Sequence, residues 1–135
     1  MTEQERSTRS SLSVLSGKDL ALRCAHLLDE KRVRDLVIFE VGSVLQIVDY
    51  FIIGTGSSPR HVQRTADYVM EKLAECGLKP LGVEGYEQGR WVLFDYGDVV
   101  VHLMLEEARQ YYNLELLWGD RPQVPWKPDP GQAER

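Results

Sequence analysis

The chain has 135 residues, 43% hydrophobic and 27% charged, with a net charge of −5, which is typical of one compact domain with a buried core. Its apolar runs are far shorter than the ~20 residues that a helix needs to cross a bilayer, and residues 1–17 lack the apolar stretch of a secretory signal. The composition therefore excludes a membrane-spanning protein, and we expect a cytoplasmic one.

The first half of the sequence begins with a predicted helix and two predicted strands. Ser16 is a suitable N-cap for a helix over residues 18–31, where apolar side chains recur at helical spacing. Residues 36–41 and 49–54 are short β-branched runs that end at glycines. They predict two strands, the first of them central in the sheet.

A second helix follows the second strand. Ser58 before Pro59 predicts its start, and Gly77 predicts its end. Residues 78–83 then return as an extended segment. This strand, helix and strand unit predicts that its two strands run parallel.

The second half begins with a predicted β-hairpin over residues 91–104, which turns at Tyr96-Gly97-Asp98. A short helix over residues 106–112 and an apolar segment over residues 114–118 follow. The division expected from the sequence is a flexible N-terminal segment (1–17), one folded domain (18–118) and an irregular, Pro-rich tail (119–135).

The charge distribution and the cysteines bear on partners and cofactors. Residues 81–118 contain two arginines against seven Asp and Glu residues, so this half carries the whole negative excess. Such a surface attracts a basic protein and repels phosphate backbones, and we expect little direct nucleic-acid contact. Cys24 and Cys76 have neither a second Cys nor a His at metal-ligand spacing. We therefore expect no disulfide, metal or cofactor.

Residues 54–58, Gly-Thr-Gly-Ser-Ser, lie where a strand is predicted to pass into a helix, and backbone N–H groups at such a junction can hold an anion. The segment lacks the Lys-Ser/Thr ending of a P-loop and the third glycine of the dinucleotide fingerprint. A tight turn with a helix cap is the favoured interpretation. The alternative is a nucleotide-binding or nucleotidyltransferase-like enzyme centred on this segment, with His61, Asp49 and Asp95.

The other titratable residues do not form a recognisable catalytic set. His26, His61 and His102 fall on different predicted elements, and His102, within an apolar strand, is interpreted as hydrogen-bonded and partly buried. Asp95 and Asp98 flank a turn, where Asp is favoured by its hydrogen bonds to the backbone. A metal pair is the less favoured interpretation.

The strand at residues 91–95 has two different faces. Alternation places Trp91, Leu93 and Asp95 on one face and Val92 and Phe94 on the other. If Val92 and Phe94 face the core, an aromatic side chain and carboxylates lie on an outer face, a combination that protein interfaces favour. Cover of this face by another element is the alternative.

Several short motifs follow one another in order between residues 20 and 118. They are Asp49-Tyr50-Phe51, Gly54-Thr55-Gly56-Ser57-Ser58, Arg60-His61-Val62-Gln63, Glu84-Gly85, Trp91 with Leu93 to His102, Arg109, Tyr112, Leu114-Glu115 and Leu117-Trp118. Together they resemble the motifs of the ribosomal silencing factor family, also called RsfS or Iojap-like. The sequence departs from that pattern at Glu40, Arg64 and Met104.

The resemblance implies a protein that is not an enzyme. Members of this family bind universal large-subunit ribosomal protein fourteen, block subunit association and repress translation under nutrient limitation, and organellar relatives assist large-subunit assembly. The implied fold is a single α+β domain with a mixed β-sheet of about five strands packed by helices. It is similar to the nucleotidyltransferase fold, but the Asp-x-Asp metal pair of those enzymes is absent.

The acidic half, the outer sheet face and the resemblance together predict a docking face for the large ribosomal subunit. Its predicted members are Trp91, Leu93, Asp95, Tyr96, Asp98, Tyr112 and Leu114. Trp91 is expected to be the buried anchor, and Asp95 and Asp98 are expected to pair with Lys or Arg of the partner. A homodimer through the same apolar face is a further possibility.

Overall fold

The computed structural model describes residues 16–42, 45 and 47–127. Within these residues the chain forms four helices and five strands. In chain order they are α1 (Gly17–Glu30), β1 (Arg34–Glu40), β2 (Tyr50–Gly56), α2 (Pro59–Glu75), β3 (Gly82–Glu84), β4 (Trp91–Asp95), β5 (Val99–Leu105), α3 (Glu106–Tyr112) and α4 (Leu114–Trp118).

The strands form one mixed sheet in the order β1-β2-β5-β4-β3. β2 and β5 are parallel, whereas the other neighbouring pairs are antiparallel. The predicted hairpin is the β4–β5 pair, with Gly97 at a φ of 89° in its turn. The expected single α+β domain with a mixed five-stranded sheet is confirmed.

β1 lies at an edge of the sheet, so the prediction that it is central is wrong. Its apolar composition has another cause. Ile38 is buried in the core on one face and Phe39 in the core on the other. In addition, Phe39 forms a β-bridge with Gln123, and the Val124 N–H donates to the Ile38 carbonyl at 2.9 Å. An edge strand that is covered on both faces and along its outer edge needs the composition of a central strand.

The extended segment expected over residues 78–83 forms a strand only at Gly82–Glu84. β3 runs in the same direction as β2, but β5 and β4 lie between them. The strand that pairs with β2 in parallel is instead β5. The chain therefore crosses the sheet after α2 and returns to its centre through the hairpin.

α1 and α2 cover one face of the sheet, called here the inner face. The Ser16 hydroxyl accepts from the Asp19 N–H at 3.1 Å and the Ser58 hydroxyl from the His61 N–H at 3.0 Å, which confirms both predicted N-caps. α2 ends just before Gly77, whose φ is 82°. The main core between the helices and the sheet includes Leu27, Leu28, Ile38, Ile52, Val62, Leu73, Phe94 and Leu103.

The segment after α4 packs on β1 and α1 as far as it is described. The Trp126 Nε1–H donates to the Leu36 carbonyl at 3.0 Å, and the Trp126 carbonyl accepts from His26 Nε2 at 2.9 Å. Of the expected flexible N-terminal segment, only Ser16 and Gly17 are among the described residues. Among residues 16–42, 45 and 47–127, no helix is long and apolar enough to cross a membrane.

Candidate protein-docking site

The face of the sheet opposite α1 and α2, called here the outer face, carries Trp91 of β4. Val92 and Phe94 are fully buried in the main core. Strand alternation therefore directs Trp91, Leu93 and Asp95 outward. α3 and α4 cover part of the outer face over a second core, which is formed by Phe39, Val41, Ile53, Met104 and Ala108.

Two neighbours fix the indole of Trp91. Its Nε1–H donates to His102 Nδ1 at 3.0 Å. The ring of Tyr112, from α3, lies 4.6 Å from the indole centre at an interplanar angle of 48°. Trp91 is only half-buried, so its indole lies at the boundary between the second core and solvent.

Further aromatic rings continue this arrangement across the sheet. The rings of Phe51 and His102 meet edge to face at 5.1 Å, and those of Phe51 and Trp118 at 5.5 Å. A row of rings, Tyr112, Trp91, His102, Phe51 and Trp118, thus joins α3 and α4 through three adjacent strands. Edge-to-face packing of this kind stabilises aromatic pairs beyond their buried area.

His102 lies in the middle of this row. The prediction that it is hydrogen-bonded is confirmed, whereas its side chain is buried rather than partly buried. It is 5% exposed, and burial lowers its pKa from 6.5 to about 4. The imidazole is therefore neutral at pH 7. Because Nδ1 accepts the bond from Trp91, the ring proton lies on Nε2.

Arg109 links α3 to the sheet and to α4. Its Nε and Nη2 donate to the two carboxylate oxygens of Glu115 at 2.9 and 3.0 Å, and its Nη1 donates to Thr55 Oγ1 at 2.9 Å. These bonds to Arg109 lower the pKa of the Glu115 carboxyl. With only five residues, α4 is too short to form alone, so this ion pair helps to hold it in place.

Large apolar side chains project from α3 and α4 into solvent. Tyr112 is 48% exposed and Leu117 is 68% exposed, and Tyr111 and Leu116 are more exposed still. Clusters of exposed apolar side chains mark sites of protein association. The candidate docking surface is defined here as Trp91, Tyr111, Tyr112, Leu114, Leu116 and Leu117.

Five of the seven predicted site residues share the outer face. Leu93 and Asp95 follow Trp91 along β4, and Tyr112 and Leu114 reach the same side from the helices that cover it. Leu114 packs against the second core. The predicted grouping of Trp91 with these side chains thus agrees with the geometry of the sheet.

Tyr96 and Asp98 are placed elsewhere. The ring of Tyr96 packs against Phe94 and the main core, and burial raises the pKa of its hydroxyl. Asp98 is exposed at the end of the hairpin, and its carbonyl accepts from the Asp49 and Tyr50 N–H groups at 2.9 and 3.0 Å. Strand alternation ends at Asp95 and no longer places side chains within the turn.

Sequence reasoning missed three exposed members of the docking surface, Tyr111, Leu116 and Leu117. Their signal is the density of large apolar residues between positions 111 and 118, in helices too short to bury them. A full amphipathic helix has a polar face that identifies its solvent side. α4 has only Glu115 as a polar residue, and Arg109 binds it.

The glycines at residues 54–58 have packing roles. Gly54 and Gly56 belong to β2 itself. A Cβ at Gly56 would collide with Val62 of α2, and a Cβ at Gly54 would collide with Val33 and Leu36. Both positions therefore require the absence of a side chain so that neighbouring elements can approach closely.

The N–H groups at this junction are used within the protein. The Ser57 N–H donates to His61 Nδ1 at 2.9 Å, and His61 Nε2 donates to the Lys31 carbonyl at 2.6 Å. The Ser58 hydroxyl caps α2. These bonds match the interpretation of the segment as a tight junction with a helix cap.

The residues of the alternative nucleotide site are not brought together. Asp49 immediately precedes β2, and Asp95 ends β4 at that same end of the sheet, whereas His61 follows the opposite end of β2. Seven strand residues separate the two ends by roughly 20 Å. In the described part of the chain, no three His, Cys, Asp or Glu residues form a cluster able to hold a metal ion.

Comparisons with known proteins agree on one family. The family model "Ribosomal silencing factor during starvation" (RsfS) matches residues 15–135. A ribosomal silencing factor RsfS from Halalkalibacterium halodurans is 40% identical over 110 residues, covering 82% of this chain and 94% of its own length. The mouse protein "Mitochondrial assembly of ribosomal large subunit protein 1" is 38% identical over 95 residues, covering 68% of this chain and 42% of its own length.

A solved structure shares this fold. The crystal structure of a protein from Chromobacterium violaceum superposes with a TM-score of 0.73 at 36% identity, covering 83% of this chain and 89% of that one. Sequence and fold thus agree over most of the length of both chains. The chain belongs to the ribosomal silencing factor family, RsfS.

Proposed function

We propose that this protein is a cytoplasmic translational repressor that docks on the large ribosomal subunit through universal large-subunit ribosomal protein fourteen. When bound, it blocks association with the small subunit and lowers translation under nutrient limitation. It acts by occupying a surface and transforms no substrate. The observation that carries the proposal is the cluster of exposed apolar side chains on α3 and α4 in the acidic half of the chain.

The charge around the docking surface suits a basic partner. Glu106 and Glu107 are exposed in the first turn of α3, and Asp95 lies on the same face of β4 as Trp91. Arg90 contacts Glu107 at 3.5 Å and neutralises only part of this charge. Ribosomal proteins are basic, so an acidic rim favours encounter with one of them and disfavours wrong partners.

The anchors of the interface are assigned from exposure. Tyr112 and Leu117 present large apolar area to a partner. The indole of Trp91 packs against the Tyr112 ring and is itself fixed by its bond to His102, so it holds Tyr112 in position. Leu93 and Leu114 extend the apolar centre, and carboxylates form the rim. Central aromatic anchors within a polar rim are typical of the residues that dominate binding energy.

Co-sedimentation with purified large subunits tests this surface. Tyr112→Ala should lower the affinity about thirtyfold, because truncating an aromatic anchor costs ~2 kcal/mol. Leu117→Ala should lower it about fivefold to tenfold. Tyr112 is 48% and Leu117 68% exposed, and neither belongs to a core cluster, so the variants should fold as the parent does. Leu81→Ala is the matched control, since Leu81 is 76% exposed and belongs to none of β4, α3 and α4, and its backbone bond to the Asp95 carbonyl is kept in the variant.

Two further measurements test the partner and the consequence. Purified ribosomal protein fourteen should compete with the large subunit for the wild-type protein, and Tyr112→Ala should fail to prevent subunit joining in a sucrose gradient. Equal affinities of Tyr112→Ala, Leu117→Ala and Leu81→Ala would remove the docking surface from the proposal. Light scattering of the wild-type protein tests whether a second copy occupies the same surface.

A further inference from the structure

A basic cleft lies on the side of the molecule opposite the docking surface, between the end of α1 and the first turns of α2. Its volume is about 400 Å³. Its lining includes Lys31, Arg60, His61, Arg64, Thr65 and Tyr68, and none of the residues that line it is acidic. The proposed docking on the ribosomal protein uses none of these residues.

A buried hydroxyl without a partner lines this cleft. Thr65 is 1% exposed, and its Oγ1 has no hydrogen-bond partner among the described residues. Leaving a buried polar atom unpaired is costly. Three side-chain atoms of the described residues are in this state, Thr65 Oγ1, the Tyr96 hydroxyl and His102 Nε2, and only Thr65 lines this cleft, where a ligand or water can complete it. The hydroxyl can donate to an anionic oxygen entering the cleft.

The cations at the cleft are available for an external anion. Among the described residues, Arg60 and Arg64 form no ion pair, and both side chains are exposed. Lys31 contributes a third positive charge, with its Nζ 4.2 Å from the centre of the Tyr68 ring. The cleft also lies at the N-terminal end of the 17-residue helix α2, where the helix dipole favours negative charge.

The positive charge continues along α2 as a stripe. Arg60, Arg64, Tyr68 and Lys72 recur every four residues and therefore lie along one side of the helix. The stripe extends over roughly 18 Å of helix axis. Lys72 is partly neutralised by Glu75 at 3.7 Å, and the Tyr68 hydroxyl donates to Glu30 at 3.3 Å. The three cations of the stripe, Arg60, Arg64 and Lys72, are spread over a length that fits successive phosphates of a polyanion better than a single phosphate group.

We propose that the cleft and the α2 stripe bind the phosphate backbone of single-stranded RNA. One phosphate enters the cleft, where Arg60, Arg64 and the Thr65 hydroxyl bind its oxygens, and the following phosphates lie along the stripe. Guanidinium groups bind phosphate through paired N–H donors. The Tyr68 ring, which lies 4.2 Å from Lys31 Nζ and 5.7 Å from Lys72 Nζ, holds these two cations beside the stripe. The acidic region that predicts little nucleic-acid contact, residues 81–118, contributes no residue to this site.

Fluorescence anisotropy with a labelled oligouridylate of about ten nucleotides tests the proposal on the full chain. Arg60→Gln/Arg64→Gln should lower the affinity at low salt about tenfold or more. It should also flatten the slope of log affinity against log salt by about 1.4, since each phosphate contact on a single strand contributes about 0.7. Lys18→Gln/Lys79→Gln is the matched control, because it removes two exposed positive charges away from the cleft.

Thr65→Val tests the buried hydroxyl separately from charge, because valine keeps the shape of the side chain. We expect a severalfold loss of affinity, an unchanged salt slope and an unchanged circular dichroism spectrum. Equal RNA affinities of the Arg60/Arg64 and Lys18/Lys79 double variants would overturn the proposal. The proposal would also be overturned if the wild-type protein bound pyrophosphate in calorimetry but showed no RNA binding in the anisotropy assay. Tyr112→Ala should bind RNA normally, so failure of the ribosomal docking proposal is distinguishable from failure of this one.

Discussion

Acidification should destabilise the fold through His102, because burial lowers the pKa of this residue from 6.5 to about 4. Below about pH 6.5 the unfolded chain binds a proton at this imidazole that the folded chain does not bind. The free energy of unfolding therefore decreases as the pH is lowered from about 6.5 to about 4. One pKa unit corresponds to about 1.4 kcal/mol, so the loss attributable to His102 reaches about 2 kcal/mol at about pH 5.

Urea unfolding followed by tryptophan fluorescence measures this loss between about pH 8 and about pH 5. His102→Asn is a matched variant, since the asparagine oxygen can accept the Trp91 N–H in place of Nδ1 and does not titrate. Its stability should fall less over this range, and the difference between the two proteins should be about 2 kcal/mol. Equal losses in both proteins would refute the reasoning, because His102 would then accept its proton in the folded state at an ordinary pKa.

Three further predictions concern packing and the helices of the outer face. Glu115→Gln should destabilise by about 2–3 kcal/mol, because it leaves a buried guanidinium without its counter-charge. Arg109→Met should destabilise as well, since it leaves the buried Thr55 hydroxyl without its donor, and thermal unfolding of both variants checks these losses. Gly56→Ala should cost about 1–3 kcal/mol through its collision with Val62, and the same denaturation assay should show partial recovery in the double variant with Val62→Ala. Trp126→Ala should cost about 3 kcal/mol or more and speed proteolysis of the C-terminal segment, because a large contact and the bond to Leu36 are lost.

The parts of the fold that depend on neighbours in sequence are predictable from sequence. The caps at Ser16 and Ser58, the end of α2 before Gly77 and the β4–β5 hairpin each follow from a few adjacent residues. The position of β1 depends instead on residues far along the chain. Its outer edge is covered by residues about 85 positions later, as the bridge between Phe39 and Gln123 shows. Composition alone therefore predicts a central position for β1, although β1 lies at the edge of the sheet.

The candidate site divides in the same way. Strand alternation correctly directs Trp91, Leu93 and Asp95 to one face, because the period of a strand is local. The exposure of Leu117 is different, since it depends on how α4 is held. That position rests on the bonds of Arg109 to Glu115 and to Thr55, which lies 54 residues away in sequence. No periodic pattern in a five-residue helix contains this information.

The C-terminal segment covers the outer edge of β1 through residues 122–124, and this cover has a consequence for handling the protein. If the chain were cut after Gly119, the N–H of Glu40 would lose its bond to the Pro122 carbonyl, and the edge of a strand with apolar residues on both faces would be bare. Bare edges of this kind template pairing between copies and promote aggregation. A chain shortened after Gly119 should therefore precipitate at concentrations at which the 135-residue chain stays in solution, which turbidity measures.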